Sequence, residues 1–203
     1  MSSPLPKSAP PHGPSTQVAD TVEFSREERR LLLQVAHRAI ESDLDGEDLS
    51  LEAPNPHLAE PRGVFTTLYL HGDLRGCVGY VFPVLPVYRA VAETARAAAS
   101  EDSRFKPVGR DETPHLEVSL SILSALIPIA PEEIQVGRHG LVVSMAGRRG
   151  LLLPQVPVEH HWDRITFLEQ TCRKAGLPLD VWKRGATLEA FTAEVFSDSE
   201  VQA

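Results

Sequence analysis

The stretch Val64-Phe65-Thr66-Thr67-Leu68-Tyr69-Leu70-His71-Gly72-Asp73-Leu74-Arg75-Gly76-Cys77-Val78-Gly79-Tyr80 decides the fold. β-Branched and aromatic residues run from Val64 to His71 and predict a strand. Gly72-Asp73 supplies a turn, and Leu74 to Tyr80 predicts the returning strand of a hairpin. Further along, Leu116, Val118, Leu120 and Ile122 alternate with Glu117, Ser119 and Ser121, the pattern of a half-buried strand. Leu141-Val142-Val143 and Leu151-Leu152-Leu153 flank Ala146-Gly147-Arg148-Arg149-Gly150, which predicts a second hairpin. A last strand is expected from Leu188 to Phe196.

Helical signals lie between these strands. Ser25-Arg26-Glu27-Glu28 has the form of a capping box, and Leu32, Val35, Ala36, Ala39 and Ile40 follow at helical spacing, with a stop expected near Ser42. Pro86 suits the first turn of a helix through the Ala-rich run to Ser100. A third helix is expected from Val158 to Lys174, with Trp162, Ile165, Leu168, Cys172 and Ala175 as its apolar stripe, and Gly176 and Pro178 ending it. Antiparallel hairpins with helices between them make an α+β fold rather than a doubly wound sheet.

Residues 1–24 are rich in Pro, Ser, Gly and Thr and are expected to be a disordered tail. The folded unit is then residues 25–197, and residues 198–203 a C-terminal tail.

The formal net charge of -8 and the pI near 5.5 set the protein against phosphate backbones, so nucleic-acid binding is the weakest functional class. The two cysteines, Cys77 and Cys172, are expected to be reduced thiols, because no secretory signal is seen. With no long apolar run either, the expected location is the cytoplasm.

Chemistry concentrates at Leu74-Arg75-Gly76-Cys77-Val78-Gly79. Glycine inside a strand marks a bulge or a close approach. Gly76 and Gly79 would leave space around the thiol and expose amide N–H groups. On an ideal strand Arg75 shares the face of Cys77, where its guanidinium would favour thiolate and hold an anionic substrate. Against this stands a small buried thiol in a bulged strand. A nucleophile needs a base, and His139, bracketed by Gly137 and Gly140, is the best candidate. The competing reading is a turn histidine bonded to backbone. His160-His161 with Glu159 forms a second polar cluster, and Gln155, at the exit of the strand ended by Pro154, could orient a substrate. Glu159 could contact substrate beside it. Adjacent helical residues point apart and no metal-ligand or nucleotide-binding motif occurs, so no metal and no cofactor is expected. Cys172, on its apolar stripe, reads as a core thiol.

The hexapeptide 74–79 resembles the L-R-G-C-I-G signature of the AMMECR family, also called AmmeMemoRadiSam system protein A, with Val78 in place of Ile. Asp102-Ser103-Arg104-Phe105 resembles the family's D-x-R-F. Gly137-Arg138-His139-Gly140-Leu141 and Gly150-Leu151-Leu152-Leu153-Pro154-Gln155-Val156 resemble its G-x-H-G-L and G-L-L-L-P-Q-V segments. The resemblance runs from about Ser25 to Ser197. It implies two unequal lobes, with the hexapeptide near the cleft between them, and an association with a Memo-like protein and a radical-SAM enzyme. It names no reaction. Two classes of function follow. One is a cysteine-dependent enzyme of acyl-transfer or hydrolytic type, with Cys77 as nucleophile, His139 as base, and Arg75, Gly76, Gly79, Gln155 and Glu159 on the substrate. The other is a non-catalytic module gripping a peptide or small molecule in the same cleft.

Overall fold

The computed structural model describes residues 23–202. The chain begins with α1 (Arg26–Asp45), β1 (Val64–Leu70), β2 (Asp73–Tyr80), α2 (Val87–Ser100) and β3 (Leu116–Leu123). It continues through β4 (Ile127–Pro128), β5 (Gly140–Met145), β6 (Arg148–Leu152), α3 (Gln155–Glu159) and α4 (Arg164–Lys174). It ends with β7 (Thr187–Phe191), β8 (Ala193–Ser197) and α5 (Asp198–Gln202). The fold is α+β, as expected.

The strands form two antiparallel sheets, ordered β2-β1-β3-β8 and β4-β7-β5-β6. Helices α1 and α2 pack on one face of the first sheet, around Phe24, Leu32, Ile40, Leu68, Leu120 and Phe196. Helix α4 packs on the second, around Leu141, Val143, Phe167, Leu168 and Cys172. The second core is the smaller.

The smaller lobe is an insertion. Strands β3 and β8 pair directly up to Leu123 opposite Ala193, and the whole second sheet is built from the chain between them. The outgoing and returning strands are tied together. The Ser124 N–H donates to the Thr192 carbonyl at 2.9 Å, and the Thr192 N–H to Ser124 Oγ at 3.0 Å. One strand expected from Leu188 to Phe196 is therefore two, split at Thr192, and its halves belong to different sheets. Apolar residues at both ends hid the break, because each half is buried against its own core.

The helix expected from Val158 to Lys174 is likewise two. His161 takes a left-handed φ of 54°, which closes α3, and the Asp163 carboxylate accepts the Thr166 N–H at 2.7 Å to cap a new start for α4. At α1 the capping box forms as expected: Ser25 Oγ accepts the Glu28 N–H and Glu28 accepts the Ser25 N–H. The helix outlasts Ser42 and stops at Gly46, whose φ of 69° suits glycine.

Both expected tails contribute to the core at their inner ends. Residues 1–22 lie outside the described residues. Phe24 is buried, stacked 4.8 Å from the His57 ring and 6.5 Å from Phe196. Residues 198–202 form α5, with Val201 buried. Asp198 anchors this helix by accepting the Val118 N–H and bonding His37 Nε2, each at 2.8 Å.

That anchor sets a pH dependence. The bond to Asp198 raises the His37 pKa above its ordinary value, against the opposing effect of burial, and the charges of Asp198 and Glu41 add to the rise. A raised histidine stabilises the fold fully below its unfolded pKa of about 6.5 and loses that contribution as pH rises through the folded value. His57, raised chiefly by Glu28, acts in the same direction. Thermal unfolding is expected at a lower midpoint at about pH 9 than at about pH 6, and His37→Gln should remove part of the difference. An unchanged pH slope in His37→Gln would refute the anchor.

Candidate functional site

Strand β2 is an edge of the first sheet, so its outward backbone groups have no strand to pair with. At Cys77 they are paired by side chains. The Cys77 N–H donates to Asp102 Oδ2 at 2.8 Å, and Arg104 Nη2 donates to the Cys77 carbonyl at 3.3 Å. Asp102 and Arg104 also bind each other, at 3.0 Å through Nε and 2.7 Å through Nη2. One acceptor and one donor, two residues apart in sequence, thus imitate a neighbouring strand for a single residue. The Arg104 guanidinium and the backbone N–H groups of Cys77 and Arg104 hold the Asp102 carboxyl well below the usual carboxylate range, outweighing burial. Arg104 is held protonated chiefly by Asp102, with a smaller contribution from the Cys77 side chain.

A bulge determines which way Cys77 faces. Pairing of β1 with β2 passes from Tyr69 opposite Leu74 to Leu68 opposite Gly76, leaving Arg75 as the extra residue. Without it Cys77 would stand opposite Thr66, which is fully buried among the core residues. With it Cys77 stands opposite Thr67, on the face away from α1 and α2. Thr67 Oγ1 donates to Cys77 Sγ at 3.4 Å. The same row continues through Ser119 and Ser197, giving the sheet a band of small polar side chains.

The bulge also corrects the reading of Arg75. Its guanidinium grips both carboxylate oxygens of Glu112, at 2.8 and 2.9 Å, and donates to the carbonyls of Lys106 and Pro107. It staples the loop after α2 to the hairpin, so the cation beside Cys77 is Arg104. Ideal alternation had put Arg75 there, and an inserted residue breaks alternation.

The two glycines serve close approach rather than space around the thiol. A Cβ at Gly76 would lie 2.1 Å from the Ala98 carbonyl oxygen of α2. One at Gly79 would lie 2.5 Å from the Phe65 ring. Phe65, lying over Gly79, joins Val81, Leu151 and Leu153 around Leu123, Val142 and Phe191, the apolar cluster where the two lobes meet. Cys77 therefore sits beside the junction of the lobes.

His139 lies in the other lobe, in the turn before β5. Its Nδ1 accepts the Gln135 N–H at 3.2 Å, and burial together with the charge of Arg138 lowers its pKa. The ring bonds backbone in its own turn, and the hydrogen-bond partner of Cys77 Sγ is Thr67. Gln155 and Glu159 occupy the two ends of α3 and are exposed. A Cβ at Gly137 would lie 3.1 Å from Val158 Cγ2, so α3 adjoins the His139 turn. The structure thus forms two groups: Cys77 with Thr67, Asp102 and Arg104, and His139 with α3. Among the described residues no three His, Cys, Asp or Glu side chains are arranged to hold a metal ion.

Residues 33–196 match the AMMECR1 family model. The chain belongs to the AMMECR1 family. Family members of the archaea are similar over most of their length. A protein of Methanopyrus kandleri is 41% identical over 188 residues, covering 86% of this chain and 90% of the relative. One of Methanocaldococcus jannaschii is 39% identical over 184 residues, covering 86% and 92%. The crystal structure of an uncharacterised protein from Pyrococcus horikoshii is also similar, with 39% identity, a TM-score of 0.66, and 85% and 92% of the two chains covered. Among the described residues no helix is long and apolar enough to cross a membrane.

Among the residues around Cys77, the AMMECR1-family sequence had pointed to the cysteine and its glycines but not to Thr67, Asp102 or Arg104 as site residues. Asp102 and Arg104 entered the reading only through the resemblance of Asp102-Ser103-Arg104-Phe105 to the family's D-x-R-F. What was not legible is that this segment folds back on β2.

Proposed function

We propose that this AMMECR1-family protein is a non-catalytic binding module, using the outer face of the first sheet beside the lobe junction. One observation carries the reading: both outward backbone groups of Cys77 are already taken by Asp102 and Arg104. An amide that donates to a carboxylate does not serve a developing oxyanion. The engagement of His139 Nδ1 with its own turn supports the same reading, since a thiol nucleophile requires an adjacent base. The surface fits a peptide or small molecule lying across Cys77, Thr67 and Ser119, with Arg104 at the rim and Gln155 and Glu159 on the opposite lobe. A Memo-like protein and a radical-SAM enzyme are the partners to try first, in the cytoplasm, where the free thiols Cys77 and Cys172 suit a reducing compartment.

A second reading, thiol chemistry at Cys77, has one observation in its favour, the guanidinium of Arg104 beside the sulfur. Alkylation of Cys77 by iodoacetamide against pH, followed by peptide mass spectrometry, separates the two. The binding module predicts that His139→Ala leaves the rate–pH profile of Cys77 unchanged, and that Cys77→Ser retains capture of the purified Memo-like protein. A profile displaced to higher pH in His139→Ala, with Cys77→Ser losing a turnover that wild type shows, would establish the enzyme instead.

A further inference from the structure

On the side of the first sheet opposite Cys77, helices α1 and α2 leave a groove of about 650 Å³ between them. Its floor is small and apolar because Ala39 of α1 and Ala92 of α2 face each other there, with Leu49 and Leu51 of the following loop as a wall. Its rim is charged, and the charges do not cancel. Arg96 is committed to Glu101 at 2.8 Å and to Asp43 at 3.9 Å. Arg89 lies over the Tyr88 ring and donates to its hydroxyl at 3.0 Å, and its charge offsets only one of the three carboxylates that remain. Glu47, Asp48 and Glu93 have no ion-pair partner among the described residues, and α1 ends beside them with no basic residue in its last turn. The negative end of the α1 dipole adds to their potential. The Tyr80 hydroxyl is pushed up to about 12, by burial first and by the charge of Glu93 second.

We propose that this groove docks a short segment of a partner protein in which a lysine or arginine stands between small apolar side chains. A basic side chain has an aliphatic stem and a cationic head, and each half has its counterpart here. The stem lies on Ala39 and Ala92, and the head meets Glu93 and Asp48. The volume falls within the usual range of about 300–1,000 Å³ for a specific site. Docking here is independent of Cys77, which looks out from the opposite face, so the two surfaces can hold different partners at once.

The test is selection of a phage-displayed random-peptide library on the full chain, with the charge-reversed variant Glu93→Lys/Asp48→Lys as counter-target. Both substituted residues are exposed, so the variant folds. The expected result is enrichment of peptides carrying Lys or Arg among small apolar residues. The synthesised peptide should bind wild type at least about tenfold tighter than the variant, a difference of about 1.4 kcal/mol, and weaken with salt. It should shift the amide resonances of Ala39 and Ala92. Enriched peptides without a cation, equal binding to the variant, or shifts confined to the Cys77 face would overturn the proposal. So would saturation of the same amides by spermine with no peptide enriched, which assigns the groove to small polyamines. Binding seen only after deletion of residues 1–22 would assign it to the chain's own N-terminal segment.

Discussion

Alanine at Gly76 is expected to destabilise the protein by about 3 kcal/mol or more, enough to leave much of it unfolded at physiological temperature. The added methyl would stand 2.1 Å from the Ala98 carbonyl oxygen and 3.1 Å from its carbon. These are backbone atoms in the last turn of α2, so no rotamer change relieves the clash. Either the helix lifts off the sheet or β2 leaves it. Lifting α2 opens the contacts of Ala95, Ala98 and Ala99 with the core, and leaving the sheet strips Cys77 of its place. Alanine at Gly72 supplies the comparison. That glycine has a φ of 86° but nothing within 4 Å of its missing Cβ, so the cost is backbone strain alone, about 1 kcal/mol. Urea unfolding of the two variants measures the contrast. A Gly76→Ala cost no larger than that of Gly72→Ala would mean that α2 and β2 are not packed as described. The prediction also changes what the glycine means. It is needed for a helix to approach a strand, so loss of function in a Gly76 variant reports folding before it reports chemistry.

This bears on how much of the protein was legible in its sequence. The hairpins, the capping box and the alternation of Leu116 to Ile122 are local patterns, and each formed, the second hairpin with its turn tightened from Ala146–Gly150 to Ala146-Gly147. Local patterns carry no information about which partner an element finds. The stretch from Leu188 to Phe196 mixes apolar residues with Glu189, Thr192 and Glu194, and nothing in it marks Thr192 as the point where the chain passes from one sheet to the other. At Cys77 the difficulty was a single inserted residue. A bulge at Arg75 exchanges the two faces of the strand beyond it, delivering the thiol to the outer face and Arg75 to Glu112. Since the side-chain period of a strand is two, a one-residue error inverts every inference about who shares a face with whom. The cysteine was therefore found by its composition, while its neighbours, Thr67, Asp102 and Arg104, follow from register and loop path.

Removal of the Glu194 carboxylate is expected to cost about 3–5 kcal/mol, because it strands charge and donors that are now satisfied. Glu194 lies on β8, 8% exposed, with its side chain turned into the first lobe. One oxygen accepts Arg29 Nε at 2.9 Å, and the other accepts the Glu23 N–H at 2.7 Å, with the Phe24 N–H between them at 3.3 and 3.4 Å. A single side chain thus fastens the residues before α1, α1 itself and the last strand. Glu194→Ala leaves the Arg29 guanidinium over the Phe196 ring without its anion and frees the backbone of Phe24, which loosens the hold on its buried ring. Replacing both partners, as Arg29→Met with Glu194→Leu, should restore the part of the loss owed to the stranded Arg29 charge, while the Glu23 and Phe24 N–H groups stay without their acceptor. Unfolding free energies of wild type, both single variants and the double variant form the cycle. If Glu194→Ala costs less than about 1 kcal/mol, the clamp is a surface pair and contributes as little as such pairs usually do. If the cost is large, the folding unit includes Glu23 and Phe24, ahead of the residues 33–196 that match the family, and a fragment cut to the matched span would lack both Phe24 and the first turns of α1 that Glu194 holds in place.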